Sequence, residues 1–175
     1  GYDFRGVRFL MVQAARADFR GADFRGADLT QAMFLEADLT GARLDDATGT
    51  AAVFTNARLR GASLRGARLP GASFSGAALE GADLAGAQLP QAQFVKAACA
   101  GASLADAVLE FADFSHADLS GADLSRADLS RAKLHRVRDE KTVWTEAKRA
   151  TAQGTDPDLA RSEDWKVKQT PEVTG

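Results

Sequence analysis

A single cysteine, Cys99, stands in a chain of 175 residues, which rules out an internal disulfide and any zinc site built from several thiolates. A lone thiol fits the cytoplasm, and that is the expected location. Aromatic residues are scarce at 7% although hydrophobic residues reach 45%, so the interior must be narrow and made of Ala and Leu. No stretch approaches the roughly 18 apolar residues of a membrane-spanning helix, and no basic start leads into an apolar run of the signal-peptide kind. Net charge is only −2, which gives no general attraction to nucleic acid or to an anionic membrane. A phosphate loop with its lysine and a dinucleotide fingerprint are both missing. The length suits one domain. Because the chain starts at Gly1 and its rhythm is in phase by Tyr2 and Phe4, it reads as cut from a larger protein.

What is present is one five-residue word. Every fifth residue from Phe4 to Leu134 makes 27 positions, and Leu or Phe fills 24 of them; Ala14, Gly49 and Cys99 are the exceptions. Two residues before each stands a small partner, alanine at 24 successive positions from Ala17 to Ala132 after Tyr2, Val7 and Val12. A period of five matches neither the helical 3.6 nor the strand period of 2. A chain that turns a corner every five residues can keep these side chains inside. Glycines such as Gly6, Gly21 and Gly26 fall two after the large residue, where a type II turn wants positive φ. Lys96, Arg126 and Arg131 share that slot, so another turn type is expected there. Phe34, Phe54, Phe74, Phe94 and Phe114 recur every 20 residues, which sets four words per coil and predicts a stacked internal ladder. With coils about 4.8 Å apart, about seven coils make a rod roughly 32 Å long. Gly49 and Cys99 read as tolerated packing variants.

The words of "GADLSRADLSRAKL", Gly121 to Leu134, resemble the pentapeptide-repeat family. The resemblance covers residues 1–136 and implies an all-β solenoid, a right-handed quadrilateral parallel β-helix often closed by a terminal helix. A leucine-rich repeat is excluded by its longer unit and its asparagine position. After Leu134 the rhythm stops. Residues 137–175 are therefore expected to be a short C-terminal helical cap and tail, since an open solenoid end needs covering. Val137, Val143 and Trp144 are the cap candidates. Helices are expected within Trp144 to Thr151 and from Pro157 to about Trp165, with Asp156 as N-cap, and the last ten residues read as a tail. At the other end Val7, Leu10, Met11 and Val12 are bulky, and Leu10 and Met11 fall in outward slots; a preceding domain or a second copy of the chain would cover them.

Chemistry finds little support. His116 and His135, with Ser115 and Asp118 nearby, sketch a hydrolase triad, but Ser and Asp are the common outward letters and a solenoid supplies no oxyanion hole. Two imidazoles are too few for a metal site, and no cofactor is expected. An interaction surface remains. Through the resemblance, some family members mimic DNA in size and acidic charge and bind type II topoisomerases such as gyrase, giving fluoroquinolone resistance. That role needs an acidic stripe along the rod. Here outward residues 20 apart alternate in sign, as in Asp18, Asp38 and Arg58, or Arg25, Asp45 and Arg65, which predicts cross-strand pairing. Asp113, Asp118, Asp123 and Asp128 put one acid on each of four faces, an acidic girdle and not a line. Met33, Leu35 and Val53, with Val95 and Phe111 farther along, make an apolar row on the phenylalanine face, and Leu10 and Met11 add to it at the open end. The expectation is a non-enzymatic protein-interaction, scaffold or spacer module of a larger bacterial protein, with a protein partner, no direct nucleic-acid contact and no membrane. A gyrase-binding DNA mimic is the alternative.

Overall fold

A computed structural model describes the backbone of residues 1–164 and the side chains of residues 1–160. Parallel bridges join each outward mid-word residue to the residue 20 later, from Asp3 with Asp23 through Lys133 with Gln153, without a missing rung. The chain thus returns above itself after four words, and each word is one short side of the coil.

Counting backbone N–H groups explains why the word has five letters. In the word Tyr2 to Gly6, the N–H of Phe4 donates to Asp23 O (2.7 Å) and that of Gly6 to Arg25 O (3.0 Å), both one coil on, while the N–H of Val7 closes the corner on Phe4 O (3.1 Å). The mid-word N–H faces the preceding coil, as when Asp23 donates to Tyr2 O (2.8 Å). Three of five N–H groups therefore tie neighbouring coils and one ties the corner. Only the residue after the large apolar side chain lacks a backbone partner, and a buried or crowded N–H demands one. The aspartate supplies it: Asp28 Oδ1 accepts from Thr30 (3.0 Å), Asp83 from Ala85 (3.0 Å) and Asp113 from Ser115 (2.9 Å). Asp in the word is a turn-capping letter.

The corners are of one kind. The expectation that Lys96, Arg126 and Arg131 adopt another turn is overturned: their φ values are +59°, +58° and +58°, beside +66° for Gly101 and Gly121. Every corner residue from Gly6 to Glu146 is left-handed. Stacking imposes this, because the corner N–H must reach the carbonyl one coil on, as Lys96 does to Ser115 O (2.9 Å). An L-residue there bears a backbone cost that the ladder offsets.

Inside, the alanine and Leu or Phe columns are fully buried from Ala22 to Ala132. Phe34, Phe54, Phe74, Phe94 and Phe114 stack with centroids 4.6 to 5.2 Å apart and planes within 10°, the spacing of hydrogen-bonded strands. Nearer the start Phe4 stacks on Phe24 one coil on, with centroids 4.9 Å apart, while Phe9 and Phe19 meet both rings edge to face. Gly49 leaves no simple void, since its backbone sits so close to the Leu29–Thr30 peptide that an added Cβ would lie 2.7 Å from Leu29 C.

Residues 137–153 differ from expectation. No helix forms within 144–151; the bridges Asp118 with Arg138, Asp123 with Val143, Asp128 with Lys148 and Lys133 with Gln153 continue the coil. Backbone pairing with the coil below persists after the side-chain word is lost. Val143 is consequently no cap: it holds the outward slot opposite Asp123 and is 43% exposed. Val137, Trp144 and Ala147 pack half-buried on the core, and Thr142 Oγ1 donates to Leu119 O (2.6 Å). The one helix among the described residues is α1, Pro157–Asp164. Asp156 caps it, Oδ1 accepting from the N–H groups of Asp158 (2.8 Å) and Leu159 (3.0 Å). Arg136 Nη2 holds it to the coil through Ala160 O (2.6 Å). Trp165 and the expected tail lie outside the described residues.

Candidate interaction surfaces

The four walls are polar and largely self-neutralised. Of the girdle, Asp113 faces Lys133 (3.4 Å), Asp118 faces Arg138 (2.6 Å) and Asp128 faces Lys148 (3.3 Å), each one coil on. Asp123 has Val143 above it instead, and its carboxylate accepts the Ser125 N–H (2.9 Å). Hydrogen bonds from the Ser120 side chain and backbone, with Arg138 beyond, hold the Asp118 carboxyl below its ordinary value. The cross-coil pairing anticipated from sequence occurs at Asp38 with Arg58 (3.6 Å), Arg16 with Glu36 (2.8 Å), Arg60 with Glu80 (2.8 Å) and Asp106 with Arg126 (2.7 Å). A second kind of pair joins Asp3, Asp18 and Asp23 to the arginine two residues on, at 2.6 to 2.7 Å, and draws these aspartates down to about 2. The spelling Asp-x-Arg across a corner was its signal. Exposed pairs of this kind hold each other's charge but add little stability.

The apolar row is tighter than its spelling suggests. Met33 bridges Val53 on the next coil, with Leu35 two residues along the same wall, and all three are half-buried. Phe111 is 46% exposed with the Arg131 guanidinium 5.4 Å above its ring. The larger apolar exposure is at the first coil, where Tyr2 (66%), Met11 (65%), Val7, Leu10 and Val12 all stand open. Tyr2, Val7 and Val12 occupy the column that alanine fills from Ala17 to Ala132.

Among the described residues the imagined triad of His116, His135, Ser115 and Asp118 is not brought together. His116 and His135 meet edge to face with centroids 5.3 Å apart, but buried His135 accepts the Asp156 N–H on Nδ1 (3.2 Å) and so serves the docking of α1. Ser115 and Asp118 belong to different walls, each bonded within its own turn. No group able to hold a metal ion occurs among the described residues, and none of their helices is long and apolar enough to cross a membrane. A shallow cleft of 470 Å³ gathers Arg25, Arg43 and Arg65, yet Asp23, Asp45 and Asp83 lie against them. A second, of 460 Å³, lies between α1 and the wall of Asp113, Lys133 and His135. Cys99 is wholly buried in the core, its thiol pushed up to about 12 by burial.

Comparison with curated proteins finds no match. Among solved structures the chain is similar to a trypsin-treated form of QnrB1, described as a plasmid-mediated fluoroquinolone resistance protein, with TM-score 0.74 and 19% identity over 90% of this chain and 79% of that one. A second trypsin-treated form of QnrB1 gives TM-score 0.51 and 20% identity over 91% of each chain. A pentapeptide repeat protein of the Arabidopsis thaliana thylakoid lumen gives TM-score 0.43 and 26% identity over 79% of this chain and 74% of that one. The family model described as pentapeptide repeats matches in 8 copies, over residues 15–48, 50–86, 72–110 and 102–138. With that model covering well over half of the sequence, the chain belongs to the pentapeptide-repeat family.

Proposed function

We propose that the chain is a non-enzymatic docking module, a right-handed four-sided rod of about seven coils that serves a larger bacterial, cytoplasmic protein as scaffold or spacer. The observation that carries this reading is the adjacent exposure of Leu10 and Met11 in outward slots at one corner, 42% and 65% exposed. Singly exposed apolar residues are ordinary, whereas a contiguous group marks a contact surface. The wall of Met33, Leu35 and Val53 is the second contact. The test is quantitative capture of proteins by the immobilised chain from cells that encode it. Leu10→Ser with Met11→Ser should abolish capture through that corner, and Met33→Ser, Leu35→Ser and Val53→Ser should weaken capture through the wall. Capture unchanged by both sets would remove the reading.

A gyrase-binding DNA mimic is the second reading, favoured by the fold shared with QnrB1. It asks for an unbroken anionic wall, and the lysines and arginines placed over Asp113, Asp118 and Asp128 work against it. A gyrase supercoiling assay decides: neither inhibition nor protection from a fluoroquinolone would eliminate the mimic.

A further inference from the structure

We infer that His135 is a pH-sensitive latch for α1: the helix docks on the rod while the imidazole is neutral, and a proton taken up on Nδ1 releases it. The inference is independent of the docking reading and uses none of its residues. His135 stands at the corner between the wall of Lys133 and the wall of Arg138, one residue after Leu134, and is only 6% exposed. Its Nδ1 accepts the backbone N–H of Asp156 at 3.2 Å, which requires a lone pair there and therefore a neutral ring. Asp156 is the N-cap of α1, so this bond seats the residue from which the helix starts.

Protonation turns Nδ1 from an acceptor into a donor. Two N–H groups then face each other inside a buried contact, and the bond gives way to an unsatisfied pair. Turning the Asp156 carboxylate toward the new proton would draw Oδ1 off the Asp158 and Leu159 N–H groups that it caps. In both cases the first turn of α1 loses its seat. Arg136 adds two holds, Nη2 to Ala160 O (2.6 Å) and its backbone N–H to Thr155 Oγ1 (3.1 Å). A helix of 8 residues does not persist in water without such docking.

The charges around the ring balance. Among the described residues, Asp113 and Lys133 line the 460 Å³ cleft with it, Asp156 lies against it from α1, Arg136 adjoins it in the chain and the His116 ring meets it edge to face at 5.3 Å. Two cations and two carboxylates leave the outcome to the hydrogen bond. The Asp156 carboxyl is held below its ordinary value by the Leu159 and Asp158 N–H groups, so it stays charged across the range in which histidines titrate and is not itself the switch. The docked helix binds one proton fewer than the released one, so docking is complete at higher pH and is lost as pH falls. Release takes Asp156 and Leu159 from the rim of the cleft and opens the wall of Asp113, Ser115 and Lys133.

The test is hydrogen–deuterium exchange of the 175-residue chain at pH 7.5 and 5.5, with each rate divided by the intrinsic rate at that pH. Protection of residues 157–164 should fall about tenfold at the lower pH while that of residues 22–132 holds. His135→Asn, which keeps an acceptor near the place of Nδ1 and cannot take up a proton, should hold α1 equally at both values, and His135→Phe should leave it unprotected at both. Protection of α1 that does not change with pH in the parent chain overturns the inference, as does a pH response that survives in His135→Asn. Should His135→Asn fail to hold α1 at pH 7.5, the parent imidazole decides: the nitrogen-15 shift of His135 Nδ1 must pass from the unprotonated to the protonated position over the pH range in which α1 loses protection, and a different range overturns the latch.

Discussion

Arg138 Nη2 lies 2.6 Å from Asp118 Oδ2, one coil away in the same column, while Asp118 Oδ1 accepts the Ser120 N–H at 3.0 Å. One carboxylate thus caps its own corner and anchors the next coil. Asp118→Asn keeps an acceptor for the N–H and gives up the ion pair, so it should cost only a few tenths of a kcal/mol. Asp118→Ala also strands the N–H and should cost about 1 kcal/mol. Urea midpoints of the two variants check this. Equal midpoints would mean that turn capping adds nothing.

Acid should loosen the rod through the same groups. Asp3, Asp18 and Asp23 are drawn to about 2 by hydrogen bonds from Arg5, Arg20 and Arg25, and Asp28, Asp118 and Asp128 are lowered by hydrogen bonds from Thr30, Ser120 and Ser130. Each folded value lies below the unfolded one, so the stabilisation is complete above the ordinary aspartate value and drains away as pH falls through the folded values. Thermal midpoints should therefore be flat from pH 7 to about 5 and fall modestly between about 4 and 2, since exposed pairs add little each. A flat profile down to pH 2 would show that these carboxylates are equally solvated in the unfolded chain.

Lys96 holds a left-handed corner at φ +59°. Its backbone pays for that position without compensation from an ion pair within the described residues, so Lys96→Gly should raise stability by up to about 1 kcal/mol. Gly86→Lys should lower it by a similar amount, since an added Cβ at Gly86 meets nothing within 4 Å and only the backbone term remains. Guanidinium melts of both variants measure the difference, and opposite signs are the expected result.

Cys99 lies between Leu79 and Leu119 in its column and is wholly buried, which pushes its thiol up to about 12. A thiolate is the reactive form. In the native protein at pH 8, a disulfide reagent should label less than a tenth of the chain over the time that labels it fully in denaturant. Rapid native labelling would mean that the middle coils open locally.

The coil length and the phenylalanine ladder were legible because they depend on side-chain volume at a fixed spacing, which the alanine, Leu and Phe letters spell directly. Four things were not. Val143 and its neighbours joined the coil because main-chain pairing with Asp123 and Asp128 carries no side-chain signature. Lys96, Arg126 and Arg131 kept the glycine corner because the ladder dictates φ whatever the residue. The aspartates looked like surface acidity, yet their spacing reports the one N–H per word that the backbone leaves unpaired. The half-buried state of Met33 and Val53 likewise follows from coil stacking and is invisible in the word.

Gly49 separates a reading by volume from a reading by backbone. By the repeat, a Leu belongs there, and filling the slot would be expected to stabilise the core. In the structure Gly49 takes φ +158° while its N–H still reaches Arg68 O at 3.0 Å. A Cβ would sit 2.7 Å from Leu29 C and 2.9 Å from Thr30 N, a clash with peptide atoms that no rotamer relieves. Gly49→Ala should accordingly destabilise by roughly 1 to 3 kcal/mol, and Gly49→Leu by at least as much, as overpacked sites do. Denaturant midpoints for the pair decide between the readings. A more stable Gly49→Leu would show that this coil can relax to the regular backbone of the repeat.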